Sequence, residues 1–238
     1  MKILEKINPS DKSRVFIVGD LHGQYDALKK KLEAVGFITG VDYLISVGDL
    51  VDRGPKIKEV IDFLINTPNC YGVFGNHDNF LLQFDTHPEK WFDDKRNGSE
   101  FTVEQLGLEN LKKYKKKLLK HFSLILEIEY LNKKIGVIHA GVPFDQNKPD
   151  EWSKIIKKAK RNRYYRANLM WDRTVIRSVL ADNHDKIPAI KGIGFIVHGH
   201  TTLNQALQFK NRFYIDTFGK TNELTFLTFD EKGEHLII

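Results

Sequence analysis

Short apolar runs alternate with amphipathic stretches through the first third of the chain. Arg14-Val15-Phe16-Ile17-Val18 reads as a buried strand that stops at Gly19-Asp20, and residues 24–35 then place Tyr25, Leu28, Leu32 and Val35 at helical spacing. Tyr43-Leu44-Ile45-Ser46-Val47 repeats the pattern, running into Gly48-Asp49 ahead of a helix over about 56–66 that opens near Pro55. In a third unit Tyr71-Gly72-Val73-Phe74 enters Gly75-Asn76-His77-Asp78, and the following helix carries Phe80, Leu81 and Phe84. Strands alternating with helices predict βαβ units and a mainly parallel sheet.

Residues 86–120 read as polar and helical, with a loop at Asn97-Gly98-Ser99. Trp91 and Phe92 inside that stretch are expected in the core. A strand pair over 122–130 and 133–139 turns at Asn132, and strands at 194–198, 205–209, 212–216, 224–229 and 235–238 follow, bounded by turn signals at Asn211, Gly219 and Gly233. No repeat, low-complexity linker or composition break divides the chain, so one α/β domain over 1–238 is expected.

Composition narrows the class. With 238 residues and 41% hydrophobic positions the chain can bury a full core, which excludes disorder. Cys70 is the one cysteine; a disulfide framework and a thiolate-rich zinc site are excluded, and a reducing compartment is expected. Any metal must then be held by His, Asp, Glu or Asn. No apolar run approaches the roughly 18 residues that would span a bilayer. The first residues, with Lys2, Glu5, Lys6, Pro9 and Asp11, lack a signal-peptide core. A soluble, cytoplasmic protein without a membrane partner is the expectation.

The net charge of +6 is unevenly spread. Residues 111–120 hold six lysines and residues 154–166 hold seven basic residues, with no acid in either segment. Setting those 13 aside leaves 24 basic against 31 acidic residues. One reading is a surface for nucleotides or nucleic acid. The plainer reading is helices with solvated faces, because Leu111, Tyr114, Leu118 and Leu119, and again Trp152, Ile155, Ile156 and Ala159, recur at helical spacing.

Candidate chemistry gathers just after the apolar strands, where α/β sheets place their binding sites. Five clusters stand there: Gly19-Asp20-Leu21-His22-Gly23, Gly48-Asp49-Leu50-Val51-Asp52-Arg53-Gly54, Gly75-Asn76-His77-Asp78, His139-Ala140-Gly141 and His198-Gly199-His200-Thr201. Singly, a Gly-Asp pair is a turn and a lone histidine a hydrogen-bonded residue. Jointly they offer carboxylates, imidazoles and an amide oxygen, a ligand set suited to manganese, iron or zinc with open positions.

In order, GDLHG, GDLVDRG, GNHD, HAG and HGHT resemble the signature motifs of the metallophosphoesterases, specifically the phosphoprotein phosphatase family and its short bacterial and bacteriophage members. The resemblance spans residues 19–201. It implies a central β-sandwich flanked by helices and a site for two divalent metal ions, manganese with iron or zinc as alternatives. Asp20 and His22 would bind the first metal, Asn76, His139 and His200 the second, and Asp49 would bridge them, with His198 a neighbour. A metal-bridging hydroxide would attack phosphorus in line. Arg53, Asn76 and Arg173, the last in Leu169-Met170-Trp171-Asp172-Arg173, would contact the phosphoryl group. His77 would protonate the leaving alkoxide, with Asp52 on its far nitrogen.

Departures accompany the match. Asp78 stands where the family has Glu, Phe74 where many members have an arginine, and Phe218 separates Asp216-Thr217 from Gly219. The resemblance implies a protein serine/threonine phosphatase acting on phosphorylated proteins. Symmetrical diadenosine tetraphosphate hydrolysis and removal of a terminal phosphate from nucleic acid are the alternatives, with a non-catalytic binding protein behind them. The intact set of ligand residues argues against the last.

Overall fold

The computed structural model describes residues 1–144, 150–230 and 232–238. Its strands in chain order are β1 (Lys2–Ile7), β2 (Val15–Val18), β3 (Tyr43–Ser46), β4 (Cys70–Gly72), β5 (Ser123–Tyr130), β6 (Lys133–Val137), β7 (Phe195–His198), β8 (Leu207–Phe209), β9 (Arg212–Tyr214), β10 (Phe226–Phe229) and β11 (His235–Ile237). They form a six-stranded sheet, β1-β5-β6-β7-β9-β8, and a five-stranded sheet, β11-β10-β2-β3-β4. The helices are α1 (Tyr25–Ala34), α2 (Ile57–Asn66), α3 (Asn76–Gln83), α4 (Glu89–Phe92), α5 (Ser99–Leu106), α6 (Leu111–His121), α7 (Trp152–Arg161), α8 (Arg163–Trp171), α9 (Thr174–Leu180) and α10 (Phe218–Thr221).

Alternation along each strand sorts side chains between two cores. Val15 and Ile17 of β2, Ile45 of β3, Leu126 and Ile128 of β5, Val197 of β7 and Leu227 of β10 meet between the sheets. Phe16 and Val18, Leu44 and Phe226 point the other way and pack under Leu28 and Leu32 of α1 and Val60, Ile61 and Leu64 of α2. Both faces are covered, which is why β2 is apolar at every position rather than at every second one.

The expected mainly parallel sheet is corrected to two mixed sheets. Parallel pairs β2–β3, β3–β4, β6–β7 and β7–β9 coexist with antiparallel β10–β2, β10–β11, β5–β6 and β8–β9. β1 had no place in the sequence reading; its polar, half-buried positions pair in parallel with β5, and Lys6 meets Glu127 at 2.6 Å. The third strand is shorter than the 71–74 expected, ending at Gly72, because Phe74 N turns to the Ser123 carbonyl of the other sheet at 2.9 Å. Segment 154–166 is two helices rather than one. Asn162 breaks it and caps α8 by accepting from Tyr164 N and Tyr165 N.

Candidate metal centre

The five polar clusters fall at strand ends that close on one another. Asp20 and His22 follow β2, Asp49, Asp52 and Arg53 follow β3, Asn76 and His77 open α3, and His139 and His200 follow β6 and β7. His22 N donates to Asp49 O at 2.7 Å, Gly199 N to His139 O at 2.7 Å, and His200 N to both Asp20 carboxylate oxygens at 3.1 Å. His22, Asp49, Asp52, Arg53 and His200 all adopt positive φ, between 36° and 71°. Each such non-glycine residue costs of order 1–3 kcal/mol and persists only where its surroundings over-determine it. Two glycines let the acids press against the backbone: a Cβ on Gly75 would lie 2.0 Å from Asp49 Oδ1, and one on Gly199 2.0 Å from Asp20 Oδ1.

Backbone carbonyls set the imidazole orientations. His22 Nδ1 donates to Val51 O at 2.7 Å and His139 Nδ1 to Val47 O at 2.8 Å, which turns each Nε2 inward. His200 Nε2 donates to Trp171 O at 3.3 Å, leaving Nδ1 as its free nitrogen. Asp49 Oδ2 stands 3.5 Å from His22 Nε2 and 3.4 Å from His139 Nε2, while Asn76 Oδ1 is 3.0 Å from His139 Nε2. Ligand atoms of Asp49, His139 and His200 lie within 4.8 Å of one another, and those of His22, Asp49 and His77 do the same. Asp49 therefore belongs to both groups, the position a bridging carboxylate needs.

Charge in this pocket is finely divided. Burial and then Asp216 push the Asp20 carboxyl well above its ordinary range. Burial would also raise Asp49, but His139, His77 and His22 hold it well below. For His139, burial is overcome by Asp49 and Asp20, which push the imidazole up to about 10. Burial brings His22 down to about 3 and His200 down to about 2, so both present neutral nitrogen lone pairs at pH 7. Buried carboxylates, an amide oxygen and oriented imidazoles are the donor chemistry of a divalent transition-metal site, and the residues fit such ions.

His77 makes a different contact as well. Its Nδ1 donates to Asp52 Oδ2 at 2.7 Å, and both residues are buried. Arg53, exposed at the mouth, reaches His22 Nε2 with Nη1 at 2.9 Å and His77 Nε2 with Nη2 at 2.8 Å. Arg173 Nη2 donates to His200 O at 2.9 Å, and burial followed by Arg177 lowers its guanidinium against the pull of Asp49, Asp20 and Asp216. His198 lies outside both ligand groups: it is buried, stacks on Tyr214 at 5.0 Å and donates to Ile138 O.

The departures now have locations. Asp78 accepts from the backbone N–H groups of Asp49, Leu50 and Gly75 at 2.8–2.9 Å. Phe74 packs in the core with its ring 6.2 Å from Phe122. Phe218 is the first residue of α10. Sequence reasoning missed three residues around the site. Trp91 Nε1 and Thr102 Oγ1 both donate to Asp52, and Asp216 accepts from Thr202 Oγ1 at 2.8 Å beside Asp20. Only Asp216, in Tyr214-Ile215-Asp216-Thr217 just past a strand, carried the same Asp-after-strand signal as Asp20 and Asp49.

Comparison with known proteins agrees with this geometry. The chain is 30% identical over 222 residues to serine/threonine-protein phosphatase 2 of Escherichia coli (strain K12), covering 90% of this chain and 91% of that one. A symmetrical bis(5'-nucleosyl)-tetraphosphatase of Coxiella burnetii is 41% identical over 78 residues, 33% of this chain and 27% of that protein. In three dimensions the fold superposes on a protein serine/threonine phosphatase from Saccharomyces cerevisiae with a TM-score of 0.63 at 13% identity, covering 100% of this chain and 82% of that one. The calcineurin-like phosphoesterase family matches residues 13–227. With those strand-end carboxylates and imidazoles inside the matched span, the chain belongs to the calcineurin-like phosphoesterases and is a hydrolase acting on phosphoric monoesters.

Proposed function

We propose that the protein is a metal-dependent serine/threonine phosphatase whose substrates are phosphorylated proteins. The observation that carries this reading is the buried His77–Asp52 pair at 2.7 Å, next to the metal-ligand groups. A serine or threonine alkoxide is a poor leaving group and needs a proton as the P–O bond breaks. A nucleoside polyphosphate leaves as a stabilised anion and has less need of an acid. The 30% identity to a bacterial serine/threonine phosphatase along 90% of the chain supports the same choice.

In this reading Asp20, His22 and Asp49 hold one divalent cation and Asp49, Asn76, His139 and His200 a second, manganese being the ion proposed. Two such cations supply positive charge for the phosphoryl oxygens and lower the pKa of a coordinated water. The chain's own groups do the rest. Arg53 offers a planar fork of donors to two phosphoryl oxygens, for which it leaves the imidazoles it now touches. Arg173, anchored on the His200 carbonyl, brings a second guanidinium, and Asn76 orients the phosphoryl group from the start of α3. His77 gives its Nε2 proton to the leaving oxygen while Asp52 holds Nδ1.

The basic segments enter differently. Lys115 pairs with Asp85 at 2.7 Å, Lys117 with Asp62 at 3.0 Å and Lys154 with Glu151 at 3.2 Å, and Leu111, Tyr114, Leu118, Trp152, Ile155 and Ala159 bury the opposite faces. Amphipathic helices with solvated charge account for them. The test compares a phosphoserine peptide, diadenosine tetraphosphate and a 3′-phosphorylated oligonucleotide at fixed manganese and varied salt. The phosphopeptide is expected to turn over fastest, with weak salt dependence, and chelation by EDTA to abolish turnover until manganese is restored. Faster hydrolysis of diadenosine tetraphosphate, or of the oligonucleotide with a steep salt slope, would replace the proposal.

A further inference from the structure

Asp52 is fully buried, and three donors share its two carboxylate oxygens. Oδ2 accepts from His77 Nδ1 at 2.7 Å and from Trp91 Nε1 at 2.9 Å; Oδ1 accepts from Thr102 Oγ1 at 2.6 Å, with Trp91 Nε1 also at 3.1 Å. The Thr102 hydroxyl closes the circle by accepting from Asp52 N at 2.9 Å. Asp52 itself sits at φ 71°, where the backbone has no preference of its own to hold it. Its rotation is set from outside.

The outside partner is one segment. Arg53 N donates to Gly98 O at 3.2 Å, Gln105 Nε2 donates to Gly54 O at 2.9 Å, and Ile57 N donates to Gln105 Oε1 at 2.5 Å. Together with Thr102, these contacts tie the 52–57 loop to residues 98–105 at four of its residues, Asp52, Arg53, Gly54 and Ile57. Thr102 and Gln105 are three apart on α5 and so share a face. Trp91 is buried in the core, its ring 5.0 Å from Phe92 and nearly parallel to it, which leaves the indole N–H aimed at the carboxylate.

We infer that Trp91 and Thr102 are positioning residues for the leaving-group proton: they fix the Asp52 carboxylate so that the His77 ring carries its proton-donating Nε2 toward the substrate. Indole and hydroxyl are chosen chemistry here. Trp91 Nε1 can only donate, and the Thr102 hydroxyl donates to the side chain while accepting from the same residue's backbone, so no water is needed to complete the shell. The helical excursion over 86–110 is thereby part of the acid rather than a cover over it. Neither residue belongs to the candidate ligand groups; both act through Asp52.

The inference rests on the acid reading of His77, which His77→Asn tests separately in the same assay. Trp91→Phe keeps the ring and removes the N–H; Thr102→Val keeps the shape and removes the hydroxyl. Each variant is compared with wild type on an alkyl phosphate and on p-nitrophenyl phosphate, at saturating manganese. The expected result is a fall of about tenfold or more in kcat on the alkyl ester, an unchanged KM, and a change within about twofold on the aryl ester. Thr102→Ser restores alkyl turnover because the hydroxyl returns. Nitrogen-15 NMR of labelled histidine gives a readout independent of turnover. His77 donates from the imidazolium, with both nitrogens protonated; once Nε2 has given up its proton, the ring is expected as a single Nδ1-protonated tautomer in the wild type and as a mixture in Trp91→Phe. Equal losses on both esters, or an unaltered His77 tautomer in both variants, would overturn the inference. Should Trp91→Phe fail to fold, the Thr102→Val and Thr102→Ser pair carries the test alone.

Discussion

At Asp78 three backbone N–H groups, from Asp49, Leu50 and Gly75, converge on one carboxylate. That residue is in neither candidate ligand group, yet it fixes the backbone from which Asp49 projects. Asp78→Asn turns an amide NH2 against at least one of these donors, so manganese affinity is expected to fall about 10–100-fold, measured by calorimetry. The same logic applies where glycine lets a carboxylate lie on the chain. Gly75→Ala and Gly199→Ala drive a methyl into Asp49 Oδ1 and Asp20 Oδ1 respectively. Both are expected to lose metal binding while retaining far-UV circular dichroism. Residues of this kind were legible in the sequence because the glycine, the acid and the strand end sit within a few positions of one another. Trp91 and Thr102 were not, because their contacts to Asp52 cross 39 and 50 residues. Nothing local distinguishes an indole that fills a core from one that also donates to a buried acid.

Elements raise a different question: what holds a strand–helix–strand unit in register. Arg14, just ahead of β2, donates to Val35 O at 2.9 Å and Gly36 O at 2.5 Å at the end of α1, and its Nη2 meets Asp42 Oδ2 at 2.5 Å ahead of β3. Asp42 also accepts from Ile38 N at 2.8 Å. Burial opposes its ionisation, but the hydrogen bonds from Arg14 and Ile38 N prevail and hold the carboxyl below its ordinary range. A depressed carboxyl contributes stability above its unfolded value, near 4, and loses that contribution as pH falls through the folded value. Asp42→Asn is therefore expected to cost about 1–3 kcal/mol at pH 7. The gap between variant and wild type in chemical denaturation should narrow as pH drops from 5 to 2. Periodicity located β2, β3, α1 and α2 because each has one or two apolar faces to bury. It could not give strand direction or sheet order, which depend on pairings such as β10 against β2 across the whole chain. β1 escaped for a related reason: with Lys2, Glu5 and Lys6 it has no apolar alternation, and it is a strand because β5 lies beside it.

Over the whole molecule, the site joins the two sheets. Asp20, His22, Asp49, Asn76 and His77 follow strands of the five-stranded sheet, and His139 and His200 follow strands of the six-stranded one. Cations bound between them would therefore tie the layers together, and their effect should appear in global stability. At manganese 100-fold above its Kd the gain is about 2.7 kcal/mol, which corresponds to a rise in Tm of roughly 5–10 °C for a chain of this size. The net charge of +6 gives no hint of this, because it takes His139 as neutral and Asp20 and Asp49 as isolated charges. In the folded chain they are one set: His139 is pushed up to about 10 by Asp49 and Asp20 against its burial, and Asp20 is held high by burial, Asp216 and Asp49. On the proposed ligand assignment, these raised values place protons where cations would bind. Metal binding has to release them, and the sign follows: affinity rises with pH, because a raised pKa means a proton still to be displaced at neutrality. With one proton leaving His139, the apparent Kd for manganese is expected to fall about tenfold per pH unit between pH 6 and 9. Calorimetry in two buffers of different ionisation enthalpy counts the protons directly. A Kd that does not change over that range would mean that His139 is already neutral, and that the carboxylates around it are satisfied by something other than its charge.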